Sequence, residues 1–456
     1  MQEKIRLSIT TYIHFLVDFT CVYWMYHMIL RQTQVQFPGD CSMTNIDYSI
    51  GWVLFYNFCA FVLQLPIGWM VDRFWQRKPW RVESLGCVVI GIASVWIFGA
   101  QLQRGAHSSS FYTDMQGVWM AVVLGIGNAL FHVGAGVEIL QYSSVRGHKR
   151  RRLSGSKSKG FILSLDCTEY RMTPVGIFVS SGALGLFIGS KLASHLSPWD
   201  VVWYEAKNYD TVFVIYSLLV IALIFGAAVL CVFATGRSET HVRKAGQHKN
   251  MDKVSEEEAT VQRPNVPETG QGIAPVAAQA KPWDFGIIFL LFFVVVLRSF
   301  QGTLVQFDWK EGMMVGLIFT LCIVAGKALG GVLADWLGVF WGTVLPLGVS
   351  TILFLASEHM ASGLLAVLLF QTTMPITLSL MHRQFRGYPG TAFGLLTFGL
   401  FLGGFPKTLY AMYQANAGGD DLAEWFSLTE LYIYSIVTGI SLVLMLLVLF
   451  LWKREE

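Results

Sequence analysis

Apolar residues in this chain run in blocks of about twenty rather than at the spacing of a helix with one wet face. A bilayer core about 30 Å thick needs about 20 such residues per helix, at a rise of about 1.5 Å each. On that rule helical spans are predicted near residues 7–30, 48–71, 82–100, 116–140, 174–196 and 211–234. Six more are predicted near 284–305, 312–335, 340–357, 360–382, 389–413 and 429–452. Between the two sets lies a charged stretch, GRSETHVRKAGQHKNMDKVSEEEATVQRPNVPETGQG, with Pro264, Pro267 and Pro275 close by and no apolar face. Such a composition buries too little surface to fold alone. The pattern therefore predicts an all-α membrane protein of twelve transmembrane helices in two six-helix bundles, residues 1–234 and 284–456. Residues 235–283 are expected to be a flexible cytoplasmic linker.

Composition agrees. Hydrophobic residues make up 54% and charged residues 14%, and mean hydropathy is +0.51; a soluble chain carries about 25% charged residues. Net charge is only +3, but its distribution is informative. With the N-terminus inside, 25 of the 33 Lys and Arg residues fall in inner segments. The positive-inside rule then puts both termini in the cytoplasm of a plasma (inner) membrane. The run KRRR within residues 146–171 is read as part of this topology signal, with room for an anionic-lipid contact, and not as a nucleic-acid site. Seven cysteines show no CxxC or Cys/His metal spacing, and only Cys41 falls outside the membrane on the outer side, so no structural disulfide is expected. The first apolar stretch follows a short basic lead, contains Asp18 and has no small-residue cleavage site, which reads as an uncleaved first helix.

A duplication marks the two halves. GWMVDRFWQRK, residues 68–78, follows the second span, and GVLADWLGVFW, residues 331–341, follows the eighth. Both place Gly-xxx-Asp at the inner end of a span. Glycine permits close helix approach. The aspartate can accept bonds from a helix start or pair with an arginine. The first copy offers Gly68, Asp72, Arg73, Arg77 and Lys78, and the second Gly331 and Asp335, with Lys327 on the same face at spacings of four and eight. We expect these residues to form a conformational latch.

The pattern resembles the G-xxx-D-(R/K)-x-G-x-(R/K)-(R/K) signature of the major facilitator superfamily, with Trp75 in place of its glycine in the first copy. Within that superfamily HFLVDF, GIGNALFHVGAGV (125–137), GIFVSSGALGLFIGSKLA (176–193) and YPGTAFGLLTFGLFLGG (388–404) resemble the fosmidomycin-resistance group of efflux proteins. The resemblance implies that the first and fourth helices of each half line a central cavity. It also implies that small-residue stripes in the fifth helix act as sliding surfaces.

Candidate chemistry lies at mid-membrane depth. His14 and Asp18 are one helical turn apart on one face, about 10 and 16 Å from the start of the first span. His132 lies at similar depth on the fourth span, with Asn128 one turn away. Their aim at one water-accessible space is implied by the resemblance. A carboxylate in hydrocarbon costs roughly 3 kcal/mol, so such groups mark function or tight internal pairing; both readings stay open for His14 and Asp18. Glu138 is expected to meet basic residues near the inner surface. Arg298 in the seventh span needs a carboxylate or an acidic substrate unless it snorkels, and Gln301 is one turn from it. Ser181, Gly185 and Gly189 form a packing stripe.

The reading is a secondary active transporter of a small solute, by alternating access and with protons as coupling ion. Efflux of a drug or an anionic small molecule is the specific expectation, in a monomer without cofactor, resident metal or nucleic-acid partner. Facilitated uniport, proton-coupled import and a non-transporting receptor stay open. A polytopic metalloenzyme with His14, Asp18 and His132 as ligands competes, but the two-half repeat weighs against it. No Walker loop, nucleophile elbow or HExxH occurs.

Overall fold

The computed structural model describes residues 2–33, 44–104, 114–154, 171–195, 211–233, 282–305, 307–385, 387–417 and 430–453. Among these residues there are helices and turns but no strand. The helices are α1 Gln2–Thr33, α2 44–75, α3 Trp80–Arg104, α4 Asp114–Ser154, α5 Thr173–His195 and α6 Thr211–Phe233. Then come α7 Pro282–Leu304, α8 313–337, α9 339–354, α10 Met360–Gln384, α11 Pro389–Ala417 and α12 Glu430–Lys453. The expected linker lies outside the described residues, except for its last two positions, which open α7; Cys41 also lies outside them. Helix α4 continues to Ser154, well past its expected end near residue 140.

Among the described residues, eleven helical stretches are long and apolar enough to cross a membrane. One of them, Met313–Phe354, has 42 residues, about 63 Å of helix and twice what a bilayer needs. It is broken at Gly338, where φ is 79° and ψ 165°. Only glycine takes this backbone conformation at no steric cost. The chain doubles back there, so that Gly342 packs on the backbone of Ala334. The break turns eleven stretches into twelve spans, in the two sets of six that the hydrophobic pattern predicts.

Helix α2 is irregular at two points. Pro66 has no N–H to give to the carbonyl of Val62, and a widened π-helical turn, Phe58–Val62, ends at that residue. A second wide turn, Val71–Trp75, carries Asp72.

The outer surface is apolar, as lipid requires: Trp336, Phe233 and Phe285 are exposed. Inside, Trp24, Phe131, Phe178, Phe354 and Trp452 are fully buried. Small residues set the helix spacing. Gly185 and Gly189 of α5 sit on the backbone of Phe15 and Phe19 in α1. Across the two halves, Gly394 of α11 sits on Gln64 and Leu65 of α2, and Gly176 of α5 sits on Lys327 and Ala328 of α8.

Gly330 of α8 faces the backbone of Thr372, whose Cα would lie 2.6 Å from an added Cβ, whereas Gly226 of α6 has nothing within 4 Å. Gly330→Ala should cost about 1–3 kcal/mol through overpacking, and Gly226→Ala should cost nothing. Thermal melts of the detergent-purified variants check the contrast; equal melting temperatures would contradict the packing described.

Candidate functional site

Three helices converge on Asp18. It lies on α1 one turn beyond His14, and its Oδ2 is 3.3 Å from His14 Nε2. From α4, His132 brings Nε2 to 3.4 Å from Asp18 Oδ1 and 3.0 Å from His14 Nε2. From α5, Gly182 leaves the room: a Cβ there would strike the Asp18 carboxylate and lie 2.8 Å from His14 Nε2. The carboxylate and His14 are buried, at 8% and 5% exposure.

The far side of each imidazole is fixed by backbone. His14 Nδ1 lies 2.8 Å from the Phe178 carbonyl and 3.1 Å from Ser181 Oγ. Ser181 gives its own hydroxyl proton to that carbonyl at 2.9 Å, so it presents a lone pair to the ring. A carbonyl only accepts, and therefore His14 carries its proton on Nδ1. The Phe178 ring stacks on His14 with centroids 4.3 Å apart. His132 Nδ1 lies 2.9 Å from the carbonyl of Asn128, which fixes the same tautomer. Both neutral rings thus point an Nε2 lone pair at the other and at a carboxylate. Three acceptors this close repel one another unless a cation lies among them. One added proton converts the Nε2–Nε2 contact into a hydrogen bond and balances the charge of Asp18.

The other expected site residues divide. Asn128 joins through its carbonyl, while its side chain is within hydrogen-bonding reach of the Cys21 thiol. Arg298 does not snorkel. It is 5% exposed and donates to Thr373 Oγ1 at 2.7 Å and Thr377 Oγ1 at 3.3 Å on α10, and its Nε has no acceptor. No carboxylate pairs with it among the described residues. Gln301 is buried. Its amide donates to Thr438 Oγ1 at 2.8 Å and accepts from that hydroxyl at 3.2 Å, tying α7 to α12. Lys327, grouped by spacing with Asp335, is instead in electrostatic reach of Asp18 and Arg298.

At the end of the bundle where α1 begins, the halves are joined by two matching contacts. Asp72 accepts from Gly390 N at 2.8 Å, Thr391 N at 2.7 Å and Thr391 Oγ1 at 2.8 Å, all at the start of α11. Asp335 accepts from Met172 N at 2.8 Å, Thr173 N at 3.0 Å and Thr173 Oγ1 at 2.5 Å, at the start of α5. Each carboxylate caps a helix of the opposite half, where free N–H groups and the helix dipole favour an anion. Gly68 and Gly331 permit the approach, because a side chain at either would meet the backbone of Gly390 or Met172. Arg73 and Arg77 are exposed beside the first contact, in which both oxygens of Asp72 accept from the start of α11. Arg171 approaches Asp335 at 3.8 Å.

Sequence reasoning missed Thr173, Thr391, Gly182 and Glu83. The two threonines had a signal, since TP and PGT each open the fifth helix of a half. Glu83 is 2% exposed at the start of α3, accepts from the Cys231 thiol at 3.5 Å and is in electrostatic reach of Glu138. Glu138 pairs with Arg6, whose Nη2 lies 2.6 Å from its Oε2.

No protein-family model matches the sequence, and no curated protein matches it. Solved structures match throughout its length. A crystal structure of a variant of the E. coli fucose:proton symporter FucP aligns with a TM-score of 0.57 at 11% identity, over 97% of this chain and 98% of that one. A major facilitator superfamily transporter, FucP in the outward conformation, aligns at 0.52 and 13%. A bacterial homologue of the iron transporter ferroportin, outward-facing, aligns at 0.51 and 13%; both alignments again cover 97% of this chain and 98% of the other. The chain has the major facilitator fold.

Asp72→Asn and Asp335→Asn each keep the size but replace charge-assisted bonds by weaker ones. Each should shift the equilibrium toward opening at this end by about 1.5 kcal/mol, or about tenfold. Spin labels placed either side of the contact should report longer distances, more so in the double variant; unchanged distances would contradict the latch.

Proposed function

We propose that this protein is a secondary active transporter that exports a small anionic or amphipathic molecule by alternating access, in exchange for protons. The observation that carries the reading is the His14–Asp18–His132 cluster: two fixed lone pairs and a carboxylate that need one positive charge, buried in a two-half fold. A proton meets that need and can be released when the surroundings change. Arg298 supports an anionic substrate, because it is buried with hydroxyl partners only and keeps Nε free.

The paired Asp72 and Asp335 contacts support a state closed at the end where α1 begins. The excess of basic residues in segments on that side supports its being cytoplasmic, in a plasma membrane. Residues 235–283 then tether the N-terminal bundle to the C-terminal one, and the protein works as a monomer. The sequence likeness to fosmidomycin-resistance proteins favours efflux. Proton-driven import is the second reading, because one fold neighbour is a proton symporter and the same cluster serves either direction.

In proteoliposomes with an imposed pH gradient and a panel of labelled solutes, Asp18→Asn should abolish gradient-driven transport while exchange without a gradient persists. Arg298→Gln should raise KM for an anionic solute about tenfold or more. Full gradient-driven transport by Asp18→Asn would remove the cluster from coupling.

A further inference from the structure

The cluster has a second property that protons do not require. Each imidazole gives its Nδ1–H to a backbone carbonyl, Phe178 for His14 at 2.8 Å and Asn128 for His132 at 2.9 Å. This outer-shell arrangement fixes the ring and raises the basicity of Nε2, and it is how metal-ligating histidines are held. The two Nε2 atoms are 3.0 Å apart, His14 Nε2 is 3.3 Å from Asp18 Oδ2 and His132 Nε2 is 3.4 Å from Asp18 Oδ1; with one ligand atom from each residue, all three lie within 4.8 Å of one another, so a small rotation of the carboxylate brings one oxygen into register with both rings. A tetrahedral ion with bonds of about 2.0–2.1 Å sets its ligand atoms about 3.3 Å apart. Among the described residues this is the one group of three or more His, Cys, Asp or Glu side chains whose ligand atoms all lie within 4.8 Å of one another.

We propose that His14, Asp18 and His132 bind one divalent first-row transition-metal ion, which takes the place of the shared proton. Two imidazoles and a carboxylate suit zinc, iron(II) or cobalt(II) and discriminate against calcium and magnesium, which prefer all-oxygen shells. Three protein ligands leave a coordination position open, so the ion can exchange. Gly182 is part of the fit, because any side chain there would enter the space of the carboxylate. Metal binding lies beyond the transport reading and needs only the folded chain, so it can be measured whether or not a solute is moved.

The test is cobalt(II) and zinc(II) titration of the purified full-length protein in detergent. The unmodified protein should bind one equivalent of cobalt(II), with the visible absorption of a four- or five-coordinate ion. X-ray absorption should show nitrogen and oxygen ligands including two imidazoles. Zinc should displace the cobalt, and magnesium in large excess should not. His132→Asn and Asp18→Asn should abolish binding, and Ser181→Ala should weaken it about tenfold. Absence of stoichiometric binding by the unmodified protein would overturn the proposal, as would a thiolate-to-cobalt band marking cysteine ligation. Because the first measurement uses the unmodified chain, it is decisive even where a variant fails to fold.

Discussion

Two backbone carbonyls decide what the centre of this protein can do. Those of Phe178 and Asn128 each take the Nδ1–H of a histidine and so turn both Nε2 lone pairs onto Asp18. In water such a convergence would be screened. In an interior of low effective dielectric it is not, and unpaired acceptors there are costly. A cation placed among the three groups relieves that cost. Everything else that matters at the site follows from keeping α1, α4 and α5 close enough for that to hold: the small residues of α5, the Phe178 ring on His14, and Gly182 beside the carboxylate.

Helix α5 also joins this centre to the contacts between halves. Its first residue, Thr173, and the preceding Met172 are held by Asp335 of the other half. About two turns on, Phe178 and Ser181 hold His14. Between them Gly176 rests on the carbonyl of Lys327, whose charge acts on Asp18. A displacement of α8 along α5 thus reaches the capping aspartate, the lysine and the histidine anchor through one rigid element. The matching contact, Asp72 on α11, has no counterpart of the histidine cluster among the described residues, so the two halves are alike in their joints and unlike in their chemistry.

Much of the fold was legible because a bilayer imposes one length on every apolar block. Twelve spans could be drawn from that constraint, even where the structure runs α8 into α9 with only Gly338 between them. The pairing of His14 with Asp18 was legible for two reasons, whereas the approach of His132 from another helix was only implied by the family resemblance. One-turn spacing is local, and buried ionisable residues are few in a membrane chain. What could not be read was which way a side chain turns once several partners lie within reach. Gln301 follows Arg298 by one turn, yet its amide is taken by Thr438. Lys327 shares a face with Asp335, yet its charge is also in electrostatic reach of Asp18. The partners of Asp72 and Asp335 were hidden for a different reason: they are backbone N–H groups, which nearly every residue has, and they lie more than a hundred positions away in the chain.

The tautomers of His14 and His132 are the most direct test of the proposed proton- and metal-binding centre. Nitrogen-15 magnetic resonance of selectively labelled histidine in bilayer-reconstituted protein, assigned with His14→Asn and His132→Asn, reads the proton on each ring nitrogen. The expected result is Nδ1–H on both rings, with the two Nε2 atoms sharing one proton and yielding it to an added divalent transition-metal ion. Either ring found with a bare Nδ1 and its proton fixed on Nε2 would contradict it.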